Sequence, residues 1–436
     1  MRGSDAMGPA DVDGGRGAGI LSAAGRELLS RLEGEDIGPE RALELSESLR
    51  ERYPADLIAA ALTQQALRIS ARAKFNMADQ MLFTRAGLEQ ASSELTAGHA
   101  AGRFTGCRVI ADLCCGIGGN LIALAAQREN TPITESFQQV AQKDFRDHGT
   151  FVVGVDADQV SLEFARHNLA VCAPGAPAAF ICADVTRLPL RGVDAVFIDP
   201  ARRNGQRRLP AGQSRPALRW CLSLTGTVPR VGIKAAPGLP RELVPSGWET
   251  EFVAVGRDLK EALLWSPALT DGVASRATLL PSGETLAAPA RSRAAGEVDT
   301  GEADAGEAVP LGAPGMYLLD PNPAVTRAGL VAELARLTGT WQIDPMIAFL
   351  SSDEPVRTPF ARTLRVIESA PWHEKRFARR LRELGIGTAD IRRRGLAGDV
   401  AQIHRRLGLR GPGSATLVLT RVANRPWGLI CTPHPR

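Results

Sequence analysis

Val109-Ile-Ala-Asp-Leu-Cys-Cys-Gly-Ile-Gly-Gly-Asn-Leu-Ile-Ala-Leu-Ala-Ala126 is the stretch from which the rest of the chain is read. Val109 to Leu113 are apolar apart from one acid, the pattern of a parallel strand buried on both faces, and Leu121 to Ala126 open a helix. A glycine turn joins them. Gly116, Gly118 and Gly119 carry no Cβ, so backbone can pass close to a ligand, and the helix that follows offers unpaired N–H groups in its first turn. This is a nucleotide-binding geometry.

The spacing separates two kinds of nucleotide. Gly116 and Gly118 fit the G-x-G-x-x-G dinucleotide fingerprint, but Leu121 stands where the third glycine belongs. The register continues beyond the turn. Phe151-Val-Val-Gly-Val-Asp156 reads as a second strand ending in an acid suited to ribose hydroxyls. A helix over Val160 to Leu169 follows, then a third strand, Ala179 to Asp184. A fourth, Ala195 to Asp199, closes on Asp199-Pro200-Ala201-Arg202. Ligands of open α/β sheets lie beyond the carboxyl ends of the strands, so these polar ends are expected to converge.

From Leu82 to Leu280 these residues resemble the class I S-adenosylmethionine-dependent methyltransferases. The wording D-x-C-C-G-x-G-G-N, with V-D-A-D and A-R-H-N, is similar to the cap trimethylguanosine synthases and to bacterial methyltransferases that carry a THUMP-like domain. The resemblance implies an α/β fold with a Rossmann-like, seven-stranded methyltransferase core and S-adenosyl-L-methionine as cofactor. It puts Asp112, Gly116, Gly118 and Asn120 at the methionine end of that cofactor, with Cys114 in the same loop. Asp156 falls to the ribose and Asp184 to the adenine amine. Asn120 replaces an aspartate common at this place, and a neutral amide can still cap the helix. Lys74 to Arg85, with Thr84 and Gln90, resembles the segment that covers the cofactor in this family.

Catalysis is assigned to Asp199, Pro200 and Arg202. Methyl transfer is an in-line displacement on a sulfonium, so it needs positioning more than acid–base strength. An accepting oxygen at the end of the fourth strand can orient an exocyclic amine, as D-P-P-[YF] motifs do. Here the motif reads D-P-A-R: the stacking aromatic is absent and Arg202 stands in its place, free to stack on a base or to hold a phosphate. The uridine carbon-5 methyltransferases, which also resemble this motif, add a cysteine nucleophile after the fifth strand. That place reads Lys234-Ala-Ala-Pro, which disfavours attack on pyrimidine carbon. Lys234 keeps a ribose-hydroxyl alternative open.

At 436 residues the chain has room for about two or three domains. A net charge of +4 is small for this length, so only the distribution of charge informs. Seven cysteines at irregular positions, without a C-x-x-C pair, give no metal spacing and suggest a reducing, cytoplasmic setting. No apolar run reaches the roughly 20 residues of a membrane span, so no membrane partner is expected.

The organisation expected is a disordered tail over 1–19, a helical N-terminal region over 20–98 and the methyltransferase domain over 99–286. A linker or loop excursion over 287–315, rich in Ala, Gly, Glu and Asp, leads to a smaller α+β THUMP-like domain over 316–436. Within the methyltransferase domain, Asn130 to Gly149 reads as a polar insertion, and Glu251 to Trp265 with Ala274 to Leu280 as a closing antiparallel pair. The THUMP-like part is carried by I-R-R-R-G and L-T-R-V and ends in a hairpin from Ala415 to Arg421 and Trp427 to Cys431. Its basic stretch contains Arg376, Arg379, Arg380, Arg392, Arg393, Arg394, Arg405 and Arg406 against few acids, which points to RNA phosphates as partner. The function expected is N-methylation of a base amine in structured rRNA or tRNA. A small-molecule methyltransferase, or an RNA-binding protein with a non-catalytic core, are the alternatives.

Overall fold

The computed structural model describes residues 19–127, 150–201, 203–204, 207–208, 213–289 and 309–434. The tail 1–18, the whole of the expected insertion at 130–149, and 290–308 of the expected linker lie outside them, as does Arg202. The chain divides into two compact units, residues 19–248 with 263–270, and residues 249–262 with 271–434.

The first unit joins the helical region to the glycine-loop region. Helices α1 (Ala23–Arg31), α2 (Pro39–Leu49) and α3 (Ala55–Ala71) come first. Ser22 caps α1 by accepting from the Gly25 N–H, and Pro39 opens α2, where a missing N–H costs nothing. Leu28, Leu29, Leu32 and Ile58 are buried between α1 and α3. Two short helices, α4 (Arg85–Gln90) and α5 (Glu94–Ala101), then lead into the sheet.

Its strands are β1 (Val109–Leu113), β2 (Phe151–Asp156), β3 (Ala178–Cys182), β4 (Ala195–Ile198) and β5 (Arg230–Ala235), all parallel in the order β3-β2-β1-β4-β5. The order reverses between β2-β1 and β4, the switch point at which open α/β sheets bind ligands. Helices α6 (Gly119–Ala125) and α7 (Gln159–Cys172) pack on β2. Gly154 in β2 allows that packing: a Cβ there would meet Leu121 Cδ2 at 3.0 Å and Cys115 Sγ at 3.3 Å. Helix α8 (Leu218–Ser223) precedes β5.

In the second unit, β6 (Glu249–Val255), β8 (Val273–Leu280) and β9 (Glu284–Pro289) lie in the order β9-β8-β6. The strand β7 (Asp258–Trp265) is divided, residues 258–262 belonging here and 263–265 to the first unit. This departs from the closing antiparallel pair expected of Glu251 to Leu280. Glu251–Trp265 is two strands around the Gly256-Arg257 turn, and β8 runs parallel to β6. At the start of the C-terminal part α9 (Pro323–Ala328) packs on β6 and β8, and α10 (Val331–Thr338) follows it.

That part is a seven-stranded sheet. In chain order it comprises β10 (Tyr317–Pro321), β11 (Trp341–Gln342), β12 (Leu350–Ser352), β13 (Ala361–Pro371), β14 (Ile386–Arg393), β15 (Gly413–Val422) and β16 (Arg425–Pro433). Their order in the sheet is β11-β12-β10-β13-β16-β15-β14. One face packs through Leu417, Leu419 and Ile430 on α11 (Glu374–Glu383) and α12 (Val400–Leu407). The other buries Leu318, Leu364 and Val418 against Ile347 and Phe349. The expected terminal hairpin is β15–β16, turned through Ala423 and Asn424 at φ 47° and 64°. Two left-handed residues suit a two-residue hairpin, and Asp344 Oδ2 holds the Asn424 N–H at 2.8 Å.

Candidate cofactor and methyl-transfer site

The switch point of the first unit gathers the strand-end acids. After β1 the chain turns through Cys114 at φ 61°, Gly116 at φ 51° and Gly118 at φ 90°. Cys114 therefore holds a left-handed conformation that L-residues adopt at a cost. A Cβ on Gly118 would stand 3.2 Å from the Cα and Cβ of Ala165 in α7. Asp156, ending β2, fixes this loop: its Oδ2 accepts from Gly116 N at 2.9 Å and its Oδ1 from Asp158 N at 2.9 Å. Burial raises the Asp156 carboxyl above its ordinary range, and those N–H groups oppose the rise.

Asp112 is fully buried in β1, and neither of its oxygens has a hydrogen-bond partner among the described residues; the same holds for Asn120 Oδ1. Burial pushes the Asp112 carboxyl well above the usual carboxylate range, reinforced by Asp199 and Asp156 and opposed by Lys234. The Leu121 N–H also opposes the rise, but a buried carboxylate with no close hydrogen-bond donor is costly. An ammonium group beside it would relieve that cost, and the cofactor carries one at its methionine end. Burial pushes the thiols of Cys114 and Cys115 up, away from the reactive thiolate.

Asp184 follows β3 and is exposed. Its Oδ1 accepts from Thr186 Oγ1 at 2.7 Å and Thr186 N at 2.9 Å, capping a short 3-10 turn, and those bonds hold its carboxyl below the usual range. The second oxygen lies 3.8 Å from Arg187 Nε, an exposed pair that an amine can displace.

Asp199 follows β4. Its Oδ2 accepts from Lys234 Nζ at 2.7 Å, and its Oδ1 has no protein hydrogen bond among the described residues. Pro200, the next residue, is buried. Lys234 comes from β5, is itself buried, and also donates to Ser92 Oγ at 2.9 Å, with Gln90 O at 3.5 Å. One ammonium thus links the end of β4 to the segment after α4.

That segment covers the glycine loop: a Cβ on Gly87 would meet Ile117 Cγ2 at 2.6 Å, and one on Gly119 would meet Ser92 O at 3.4 Å. Thr84 caps α4 by accepting from Gly87 N. The backbone leading into it is held by buried side chains the sequence did not single out for this. Arg68 donates to Met81 O at 2.9 Å, and Gln64 bonds both the N–H and the carbonyl of Phe83. Asn168 in α7 accepts from Leu82 N at 2.7 Å and donates to Leu82 O and Ile117 O. Asn168 is therefore a buried link between cover and glycine loop, whereas A-R-H-N as a helical pattern suggests an outward residue. Its partner is 86 residues away, beyond the reach of local spacing.

Comparison with known proteins identifies the family. The chain is 36% identical over 349 residues to an uncharacterized S-adenosylmethionine-dependent methyltransferase of Mycobacterium tuberculosis (strain CDC 1551), covering 79% of this chain and 85% of that one. The protein belongs to this methyltransferase family. A homologue from strain H37Rv matches to the same extent. Family descriptions match in three places: an RMKL-like methyltransferase domain over residues 100–201, a THUMP domain-like region over 361–433 and a domain of unknown function over 17–73. The methyltransferase shares its fold with a crystal structure provisionally assigned as a methyltransferase of Porphyromonas gingivalis W83. The TM-score is 0.67 at 18% identity, over 91% of this chain and 99% of that one. Its cofactor is S-adenosylmethionine.

The arginines assigned to RNA lie in the second unit and differ in surroundings. Arg376, Arg379, Arg405 and Arg406 point outward from α11 and α12. Arg376 and Arg380 reach Glu368, Arg379 reaches Glu383, and Arg406 lies 3.7 Å from Glu374. Arg392 bonds Asp390, and Arg393 donates to Leu396 O. Arg394 departs from the exposed role expected of it: it donates to the buried Asp320 Oδ1 at 3.0 Å and lies 4.8 Å over the Phe349 ring. The run R-R-R looks uniform in sequence, but Arg394 comes just past the end of β14 and turns inward.

Proposed function

We propose that this methyltransferase modifies RNA at an exocyclic amine of a base. The observation that carries this reading is Asp199, fixed through Oδ2 by Lys234 and open at Oδ1. Bound S-adenosylmethionine supplies an electrophilic methyl group on a positively charged sulfur. Asp156 is suited to hold its ribose, Asp112 and Asn120 its methionine end, and Asp184 its adenine amine. Oδ1 of Asp199 accepts an N–H of the substrate amine, aims the nitrogen lone pair and holds the proton that the amine sheds. Lys234 is a poor candidate for deprotonating a ribose hydroxyl. It is buried, and its Nζ is already engaged by Asp199 Oδ2, Ser92 Oγ and Gln90 O. That favours the amine over the hydroxyl.

RNA as substrate is supported by the THUMP domain-like match and by the outward arginines of α11 and α12. No helix among the described residues is long and apolar enough to cross a membrane, and all seven cysteines are free thiols, in keeping with work in a reducing cytoplasm. The test is to incubate the protein with deuterated-methyl cofactor and total rRNA and tRNA, digest to nucleosides and weigh them. Label in an N-methyl base supports the reading, whereas label confined to 2′-O-methyl ribose or to small molecules overturns it.

A further inference from the structure

The helical region at the start of the chain, matched over 17–73 by a domain of unknown function, belongs to the same compact unit as the glycine loop. Gln64 and Arg68 stand four residues apart on α3, so they share one face of the helix, and both are buried. Long polar side chains on a buried face are costly unless they are hydrogen-bonded. Both find their partners in the segment that leads over the glycine loop. Gln64 Nε2 donates to Phe83 O at 2.6 Å while its Oε1 accepts from Phe83 N at 3.0 Å, and Arg68 Nε donates to Met81 O at 2.9 Å.

Two routes run from Phe83 to the loop. In the first, the neighbouring Leu82 is held at both its backbone groups by Asn168 of α7, at 2.7 and 2.9 Å. Asn168 Nδ2 also donates to Ile117 O at 3.0 Å, and Ile117 lies between Gly116 and Gly118. In the second, Thr84 follows Phe83 and accepts from Gly87 N at 2.9 Å, and a Cβ on Gly87 would stand 2.6 Å from Ile117 Cγ2. Both routes end on Ile117, one at its carbonyl and one at its side chain. The Ile117 carbonyl and the Gly118 N–H belong to one planar peptide, so holding the first orients the second. That N–H closes the glycine turn on Cys115 O at 2.9 Å.

We propose that α3 is a positioning element for the cofactor loop, with Gln64 and Arg68 as positioning residues that act through residues 81–84 and Asn168. The helical region is then part of the methyltransferase site. It holds the glycine turn in one shape, so that binding the cofactor need not order it. The relay of hydrogen bonds is independent of the proposed function; its effect on cofactor rests on the glycine loop being the cofactor's site.

The experiment uses the full chain and S-adenosylmethionine. Gln64→Met keeps the side-chain length and removes both bonds to Phe83. Leu29→Ala, in the core between α1 and α3, is the control that loosens the helical region without touching the relay. Amide exchange is followed in cofactor-free protein on the peptides covering 81–84 and 114–121, and cofactor affinity by calorimetry, both well below each variant's melting temperature. Gln64→Met should speed exchange in both peptides and weaken the cofactor about tenfold, mainly through faster dissociation. Leu29→Ala should lower the melting temperature and move neither. Arg68→Met should act like Gln64→Met, whereas Arg68→Lys, which keeps a donor for Met81 O, should restore most of the loss; this pair carries the test if Gln64→Met folds poorly. Unaltered loop exchange in Gln64→Met, or an affinity that falls equally in Leu29→Ala, overturns the proposal, since only a general loss of stability is then left. Faster exchange with unmoved affinity also overturns it, provided that Asp156→Ala binds cofactor weakly. If Asp156→Ala binds normally as well, the assignment of the cofactor site fails and the proposal falls with it.

Discussion

Replacing Lys234 by Met probes how the reaction centre is held. Lys234→Met keeps most of the side-chain volume and removes the ammonium that joins Asp199, Ser92 and Gln90. Breaking a fully buried ion pair by removing one partner costs about 3–5 kcal/mol. Here the Asp199 side chain is 20% exposed and can recruit water, so the cost should fall at or below the low end of that range. The effect on catalysis should be larger than on cofactor binding. Asp199 would lose the contact that fixes Oδ2, and a misplacement of about 1 Å at such a centre costs on the order of a hundredfold in rate. Single-turnover methylation would read the rate, calorimetry the cofactor affinity and denaturant unfolding the stability. Ser92→Ala, which leaves the ion pair intact, should lower the rate far less. A Lys234→Met protein with an unaltered rate would refute the argument that Asp199 acts from a position set by this contact.

Asp156→Ala should weaken cofactor binding by roughly 1.5–3 kcal/mol, as for hydrogen bonds to a charged acceptor, and calorimetry reads it directly. Asp112→Asn should change how the cofactor-free protein responds to pH. Burial raises the folded-state carboxyl of Asp112 above its unfolded value, so the native state keeps a proton that the unfolded chain has released. Its contribution is full below the unfolded value and is lost as pH rises toward the folded one. The variant should therefore unfold less readily than the unaltered protein at neutral pH, with a flatter pH dependence over that window, while binding cofactor more weakly. Gly118→Ala should impair both folding and cofactor binding, since φ 90° and a 3.2 Å approach to Ala165 leave no room for a methyl group. Changing Arg376, Arg379 and Arg405 together to Ala should lower the salt slope of RNA binding by about two to three units and leave cofactor affinity unchanged.

Much of the fold is legible in one period of the sequence. The glycine turn, the acid-ended strands and the parallel register follow from apolar runs of four to six residues with an Asp near or just beyond their ends, because such strands are buried on both faces and end where ligands bind. Local turn chemistry was less visible. Asp184 is spent mainly on capping its own 3-10 turn, with its other oxygen in an exposed pair with Arg187. Long-range contacts were not legible. Asn168 and Gln64 read as ordinary helical residues, and only the folded chain shows that their amides replace strand partners for Leu82 and Phe83. Lys234 was visible as a lone basic residue in an apolar strand, but its role depends on Asp199 and Ser92, 35 and 142 residues away. The strand Val273–Leu280 was placed correctly along the chain and wrongly in direction, since alternation of side chains is the same for parallel and antiparallel pairing.

The most direct test of the account is the turnover of Asp199→Ala with the RNA that the protein methylates. The account predicts cofactor affinity within about twofold of the unaltered protein and a rate at least about a hundredfold lower, the pattern of an interaction made chiefly in the transition state. Methyl transfer to the same base at the unaltered rate would contradict it.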